Sequence, residues 1–123
     1  MKKTDLHALS TSQLVERFIE IALRQYTTVM RDEVAKFNKL YGQMDAVTEE
    51  LKSRPGDQRR ALAALYDHPN PQVRLKAAVR SLAVNYDEAR RVLESLAKLR
   101  PYPQAGDAGM TLVALDRGIF KPE

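Results

Sequence analysis

One run limits what this chain can become: His68-Pro69-Asn70-Pro71-Gln72-Val73-Arg74-Leu75-Lys76-Ala77-Ala78. Asn70 is a favoured helix N-cap, and Pro71 falls at the first helical position, where its missing N–H costs nothing. The run is therefore a turn that drives straight into a helix. It also has an echo. Pro69-Asn70-Pro71-Gln72 matches Pro101-Tyr102-Pro103-Gln104 at a shift of 32 residues. Arg59-Arg60-Ala61-Leu62-Ala63-Ala64-Leu65 matches Arg90-Arg91-Val92-Leu93-Glu94-Ser95-Leu96 at a shift of 31. A helix, a Pro-x-Pro turn and a second helix thus occur twice in succession. Periods of this size mark stacked helical hairpins, each with an apolar face it cannot bury alone.

The rest of the chain is also helical in pattern. Val15, Phe18, Ala22, Tyr26 and Val29 recur at three- and four-residue spacing, with Ser12 and Glu16 as an approximate capping pair before them. Thr27-Thr28 weakens that helix, and Asp32 offers a new N-cap. Phe37, Leu40, Met44, Val47 and Leu51 form a second stripe, which stops at Arg54-Pro55-Gly56. The two stripes stay almost in phase across residues 27–32. A single helix over 12–53 would run to about 63 Å, too long for a compact monomer, so two antiparallel helices are preferred. Asp57 caps a third helix in which Ala61, Leu62 and Leu65 face inward. Leu75, Ala78, Val79 and Leu82 share the core face of the fourth, with Lys76 and Arg80 opposite. Val92, Leu93, Leu96 and Leu99 line the fifth, which Arg100-Pro101 stops. A last helix over about 104–115 is weakened by Gly106 and Gly109. Gly118 ends it, and Ile119 and Phe120 are expected to fold back on the core.

Pro69-Asn70-Pro71-Gln72-Val73-Arg74, followed by Ala77-Ala78 and Leu82, resembles the turn and second helix of a HEAT repeat. Val73 plugs the turn, and the alanine pair permits close helix approach. The second copy departs from the pattern, with Ala105 for Val73 and Gly106 for Arg74. The whole chain from about 12 to 122 is similar to a small bacterial family catalogued as domain of unknown function 2019. Residues 36–41, Glu50-Leu51-Lys52-Ser53-Arg54, 68–78 and 115–122 carry that likeness. It implies a fold and a bacterial origin, and brings no activity. The expected architecture is an all-α single domain over 1–123, with about six helices in antiparallel hairpins stacked as a short HEAT-like right-handed solenoid. Its parts are an N-terminal hairpin at about 12–53, a first repeat at about 57–84 and a second at about 87–117.

Composition excludes several functions. There is no cysteine, so neither disulfides nor thiolate chemistry is available. His7 and His68 are the only histidines, which leaves no His/Glu metal set. His68 is read as a turn residue. The serines have no nearby His to activate them, and the glycines fit no phosphate loop. The longest apolar run, 61–66, is far too short to span a bilayer. Two lysines open the chain with no apolar stretch behind them, so a cytoplasmic protein without a signal peptide is expected.

Net charge is +4 and unevenly spread. Residues 1–58 carry nine Lys/Arg and nine Asp/Glu, whereas residues 59–100 carry nine against four. Catalytic, cofactor and metal residues are therefore expected to be none, and the protein is expected not to be an enzyme. The leading expectation is a protein–protein interaction module of unknown partner, with an immunity-type or regulatory binder as a specific form. Arg74, Lys76, Arg80 and Tyr102 are the candidate partner-binding residues. The alternative is weak nucleic-acid binding through the basic segment 59–100, although the chain has no Trp for base stacking. No membrane partner is expected, and the protein would be a monomer or homodimer.

Overall fold

The computed structural model describes residues 5–99 and 102–123. Among them are five α-helices, α1 (Thr11–Met30), α2 (Val34–Ser53), α3 (Pro71–Ser81), α4 (Tyr86–Leu96) and α5 (Pro103–Asp116). Two 3-10 helices, Leu6–Ala8 and Gln58–Leu65, complete the set, and the described residues contain no strand. With the longer 3-10 helix included, the six expected helices are all present. The stop expected at Arg100-Pro101 lies outside the described residues. The chain divides into two compact units, Met1–Ala61 and Leu62–Glu123.

In the first unit, α1 opens on a reciprocal cap. Ser10 Oγ accepts from the Gln13 N–H (3.1 Å), and Gln13 Oε1 accepts from the Ser10 N–H (2.8 Å). The cap thus sits two residues before the expected Ser12, because the box needs an amide or carboxylate three residues on and Gln13 supplies it. The buried face of α1 is Leu14, Phe18, Ile21, Ala22, Gln25 and Thr28. This face is turned by roughly 70° from the expected stripe, which leaves Val15, Tyr26 and Val29 only half-buried. Hydropathy missed the rotation because two of the buried residues are polar. Thr28 is accommodated by donating its hydroxyl to Gln25 O (2.8 Å).

The joint after α1 corrects the role expected of Asp32. Asp32 does not cap α2; it adopts φ 56°, in the left-handed region, just beyond the end of α1. The Glu33 N–H donates to Thr28 O (2.8 Å) and the Asp32 N–H to Val29 O (3.2 Å). This is the six-to-one and five-to-two pattern that closes a helix with a left-handed residue, usually Gly but on occasion a short polar one. Glu33 becomes the N-cap of α2 and makes no side-chain cap bond. The chain therefore reverses over three residues, and α2 packs along α1. Leu40, Met44, Val47 and Leu51 face inward as expected, joined by Thr48. Phe37 is half-buried, its ring 6.5 Å from that of Tyr41.

Glu50 and Arg54, one turn apart at the end of α2, hold the first 3-10 helix. Arg54 Nε donates to Glu50 Oε2 (3.0 Å), and Arg54 Nη2 donates to the carbonyls of Leu6 (3.2 Å) and Leu9 (2.6 Å). His7 Nδ1 lies 3.3 Å from the same carboxylate. The Arg54 hydrogen bond, with the nearby His7, holds the Glu50 carboxyl below the usual glutamate range.

The third helix was expected to be α and is 3-10 over Gln58–Leu65. Its entry is itself tightly turned. Gly56 and Asp57 both take positive φ (79° and 51°). Asp57 then grips Arg59 with both oxygens, at 2.8 Å and 2.6 Å, and accepts from the Arg59 N–H. Asp57 therefore does cap this helix, as the sequence indicates. At three residues per turn, positions i and i+3 eclipse. Arg59, Leu62 and Leu65 accordingly are all buried, while Ala61 is only half-buried.

In the second unit α3, α4 and α5 pack on one another. Asn70 caps α3 as expected, its Oδ1 accepting from the N–H of Gln72 (2.9 Å) and Val73 (3.3 Å). His68 Nδ1 accepts from the Asn70 N–H (3.0 Å), which places His68 in the turn. The core is Leu75, Ala78, Leu82, Ala89, Leu93, Leu96 and Ala108. Phe120 packs against it, but Ile119 is 73% exposed and does not fold back. Gly118 at φ 69° turns the chain so that only Phe120 faces inward.

The two copies of the Pro-x-Pro-Gln motif meet inside this unit. Gln104 Nε2 donates to Gln72 Oε1 (2.9 Å), and each residue is only 1% exposed. They occupy the same position in their helices, one residue after the leading proline of α3 and of α5. This contact brings the starts of α3 and α5 together. At the far end of α5, Arg90 of α4 donates to Asp116 (2.9 Å) and lies 3.6 Å from Glu94.

Candidate functional site

The four residues singled out from sequence do not form one cluster. Lys76 and Arg80 share a face of α3, one turn apart, and both are half-buried. Arg74 lies on another side of α3, also half-buried, and its Nε is buried without a hydrogen-bond partner among the described residues. Tyr102 is the exposed N-cap residue of α5. The Gln72–Gln104 contact puts Tyr102 near the start of α3. Arg80, eight residues further along, is then about 12 Å away.

Several members of the basic segment are already engaged. Arg59 is clamped on Asp57, whose carboxyl that contact holds below the usual aspartate range. Arg90 is held by Tyr86, Asp116 and Glu94, with the Tyr86 and Asp116 hydrogen bonds favouring its charged form. These arginines tie the fold together and offer little to a phosphate backbone.

A different basic site stands in the first unit, where α1 ends and α2 begins. A cleft of about 400 Å³ lies there, lined by Arg24, Thr27, Thr28 and Arg31 on one side and by Glu33, Lys36, Lys39, Leu40 and Gln43 on the other. Buried Thr28 and Leu40 contrast with the exposed Arg24, Arg31, Lys36, Lys39 and Gln43. Arg24 and Arg31 are two helical turns apart, about 10 Å along α1, whereas Lys36 and Lys39 lie within one turn, about 4.5 Å apart along α2.

The electrostatics are those of the side chains. The negative end of α1 and the positive end of α2 meet at this point, so their dipoles largely offset. Four cations face one carboxylate. Lys36 donates to Glu33 Oε2 (2.7 Å), and that hydrogen bond, with the charges of Lys36 and Arg31, holds the Glu33 carboxyl below its usual range. Among the described residues no salt bridge engages Arg24, Arg31 or Lys39. The threonine hydroxyls are spent on backbone, Thr27 on Leu23 O and Thr28 on Gln25 O. The cleft offers charge-assisted hydrogen bonds to an anion.

Charge counted over halves of the sequence hides this site, since residues 1–58 balance to zero. The folded hairpin sorts the same charges by its two ends. Arg24, Arg31, Lys36 and Lys39 outnumber Asp32 and Glu33 at the turn, while Glu16, Glu20, Asp45, Glu49 and Glu50 outnumber Arg17, Lys52 and Arg54 toward the other end. A count made over each end of the expected hairpin would have found it.

Among the described residues no group of three or more His, Cys, Asp or Glu side chains is placed to hold a metal ion. Among the described residues no helix is long and apolar enough to cross a membrane.

Comparison with known proteins agrees with the fold. No curated protein matches this chain. The crystal structure of the protein RPA1889 from Rhodopseudomonas palustris CGA009 is similar, with 45% sequence identity and a TM-score of 0.93. The match covers 98% of this chain and 100% of that one. The family model described as a domain of unknown function, DUF2019, matches residues 12–116. With that span matched, the chain belongs to the domain of unknown function 2019 family.

Proposed function

We propose that this protein is a non-enzymatic helical module that binds another protein, and that the cleft at the turn between α1 and α2 is its principal contact surface. The observation that carries the reading is the set of exposed cations in that cleft, Arg24, Arg31 and Lys39, with no salt bridge among the described residues. Exposed cations held in a concavity and outnumbering the carboxylate beside them steer and orient a partner of opposite sign. The frame behind it is a HEAT-like right-handed stack. That view is supported by the 31–32-residue repeat and by the Gln72–Gln104 bond between equivalent positions of its two copies. Under this reading Arg74, Lys76, Arg80 and Tyr102 form a second, separate surface on the second unit.

Nucleic-acid binding through segment 59–100 is the competing reading. It is weakened by Arg59 and Arg90, whose charges are already matched by Asp57, Glu94 and Asp116.

Affinity capture from the native host tests the proposal. Wild type is compared with Arg31→Glu/Lys39→Glu and with Lys76→Glu/Arg80→Glu. A partner lost only with the first pair supports the cleft. Retention of every partner by the first pair removes the cleft from consideration. Tight binding of DNA or RNA at low salt, abolished by the second pair, would favour the competing reading.

A further inference from the structure

We infer that the occupant of the α1–α2 cleft is a short acidic segment of a partner protein, carrying two or more carboxylates beside an apolar residue. This rests on the reading of the cleft as a protein-binding surface, and it narrows the chemistry of what binds there.

Three observations select this ligand. First, charge: Arg24, Arg31 and Lys39 await anions, and Glu33 is occupied by Lys36. Their spread of about 10 Å matches carboxylates two turns apart on a helix, or three residues apart on an extended strand.

Second, size and lining. A volume of about 400 Å³ takes a few side chains and not a folded surface. Leu40 is the only apolar residue in its wall, so a small apolar ligand finds little to bury against. No aromatic residue lines the cleft, which removes the stacking platform that single-stranded nucleic acid uses.

Third, the apolar neighbours. Met30, the last residue of α1, is 54% exposed, and Val34, the first of α2, is 64% exposed. Neither Met30 nor Val34 lines the cleft, but both flank the turn that closes it, so a bound segment long enough to reach the hairpin end meets them there. A phosphate backbone would gain nothing from Met30 or Val34.

The test uses the full chain and a short labelled peptide that places Glu and Leu at helical spacing, followed by fluorescence anisotropy at low salt. Binding is expected, weakening as salt rises. Arg31→Glu/Lys39→Glu should lower the affinity about tenfold or more. Met30→Ser/Val34→Ser should lower it by a smaller factor, and Arg117→Glu/Lys121→Glu, at exposed positions far along the chain, should leave it unchanged. Because all four altered residues at the hairpin end are exposed, folding is checked by circular dichroism, and Arg24→Gln/Lys39→Gln serves as a milder second variant. No peptide binding at low salt overturns the inference, as does an oligonucleotide or an anionic vesicle that binds more tightly than the peptide. Captured partners that depend on Arg31 and Lys39 but are not displaced by the peptide would leave the protein-binding reading standing and remove the acidic segment. If no captured partner depends on them, both fall.

Discussion

The Gln72–Gln104 pair allows a sharp energetic test of how the two repeats are joined. Each side chain is 1% exposed, and Gln104 Nε2 donates to Gln72 Oε1 at 2.9 Å. Gln104 Oε1 has no hydrogen-bond partner among the described residues. Methionine preserves the unbranched shape and removes both polar atoms. With Gln104→Met, Gln72 loses the Gln104 donor, but the orphan oxygen of Gln104 disappears as well. The two effects oppose, and a loss of about 0.5–2 kcal/mol follows. With Gln72→Met, the whole Gln104 amide is left buried without a partner, and the loss rises to about 2–3 kcal/mol. The double variant strands neither half of the pair. It should therefore be less destabilised than the sum of the singles, with a coupling of about 1–2 kcal/mol. Urea unfolding followed by circular dichroism reads all three. At an m-value near 2 kcal/mol per molar, the Gln72→Met midpoint should fall by about 1–1.5 M. Coupling below about 0.5 kcal/mol would refute the reasoning, because the two glutamines would then be acting independently.

Three other outcomes are expected. Asp32→Gly should raise stability by about 0.5–1 kcal/mol, since φ 56° is natural for glycine, whereas Asp32→Val should lower it; thermal melts of the pair decide the matter. Glu33, Glu50 and Asp57 all have folded-state pKa values below their ordinary ones, through hydrogen bonds from Lys36, Arg54 and Arg59 respectively. The stability they contribute is complete above the usual carboxylate range of about 3.9–4.3 and is lost as pH falls below it. An acid titration of unfolding free energy should therefore decline there, and Asp57→Asn should make the decline shallower. Leu93→Ala opens a cavity in the core formed with Leu75, Leu82 and Leu96, and should cost about 2–5 kcal/mol in urea unfolding.

Helix positions were legible wherever one strong local preference acted alone. Asn70 with Pro71 fixed the start of α3, and the stripe of Leu40, Met44, Val47 and Leu51 fixed the inward face of α2. The misreadings have a common cause, polar groups whose partners are invisible in one dimension. Gln25 and Thr28 turned the buried face of α1. The Asp57–Arg59 contact opens an Ala-rich helix that is wound as 3-10. Asp32 has the composition of an N-cap and the backbone of a helix terminator, and only the Thr28 and Val29 carbonyls decide between them. The candidate cleft was hidden for a related reason. Its four cations are dilute along the chain and become neighbours only once α1 and α2 are folded against each other.

The joint at residues 31–33 has a wider consequence. The reversal is made over three residues and turns on one left-handed residue that is not glycine. To become one rod the joint would have to change at Glu33 (ψ 76°) as well as at Asp32. The two inward faces would then point roughly 90° apart along it, so no single partner helix would cover both. The joint is therefore what lets two faces that disagree in phase close on each other within one chain.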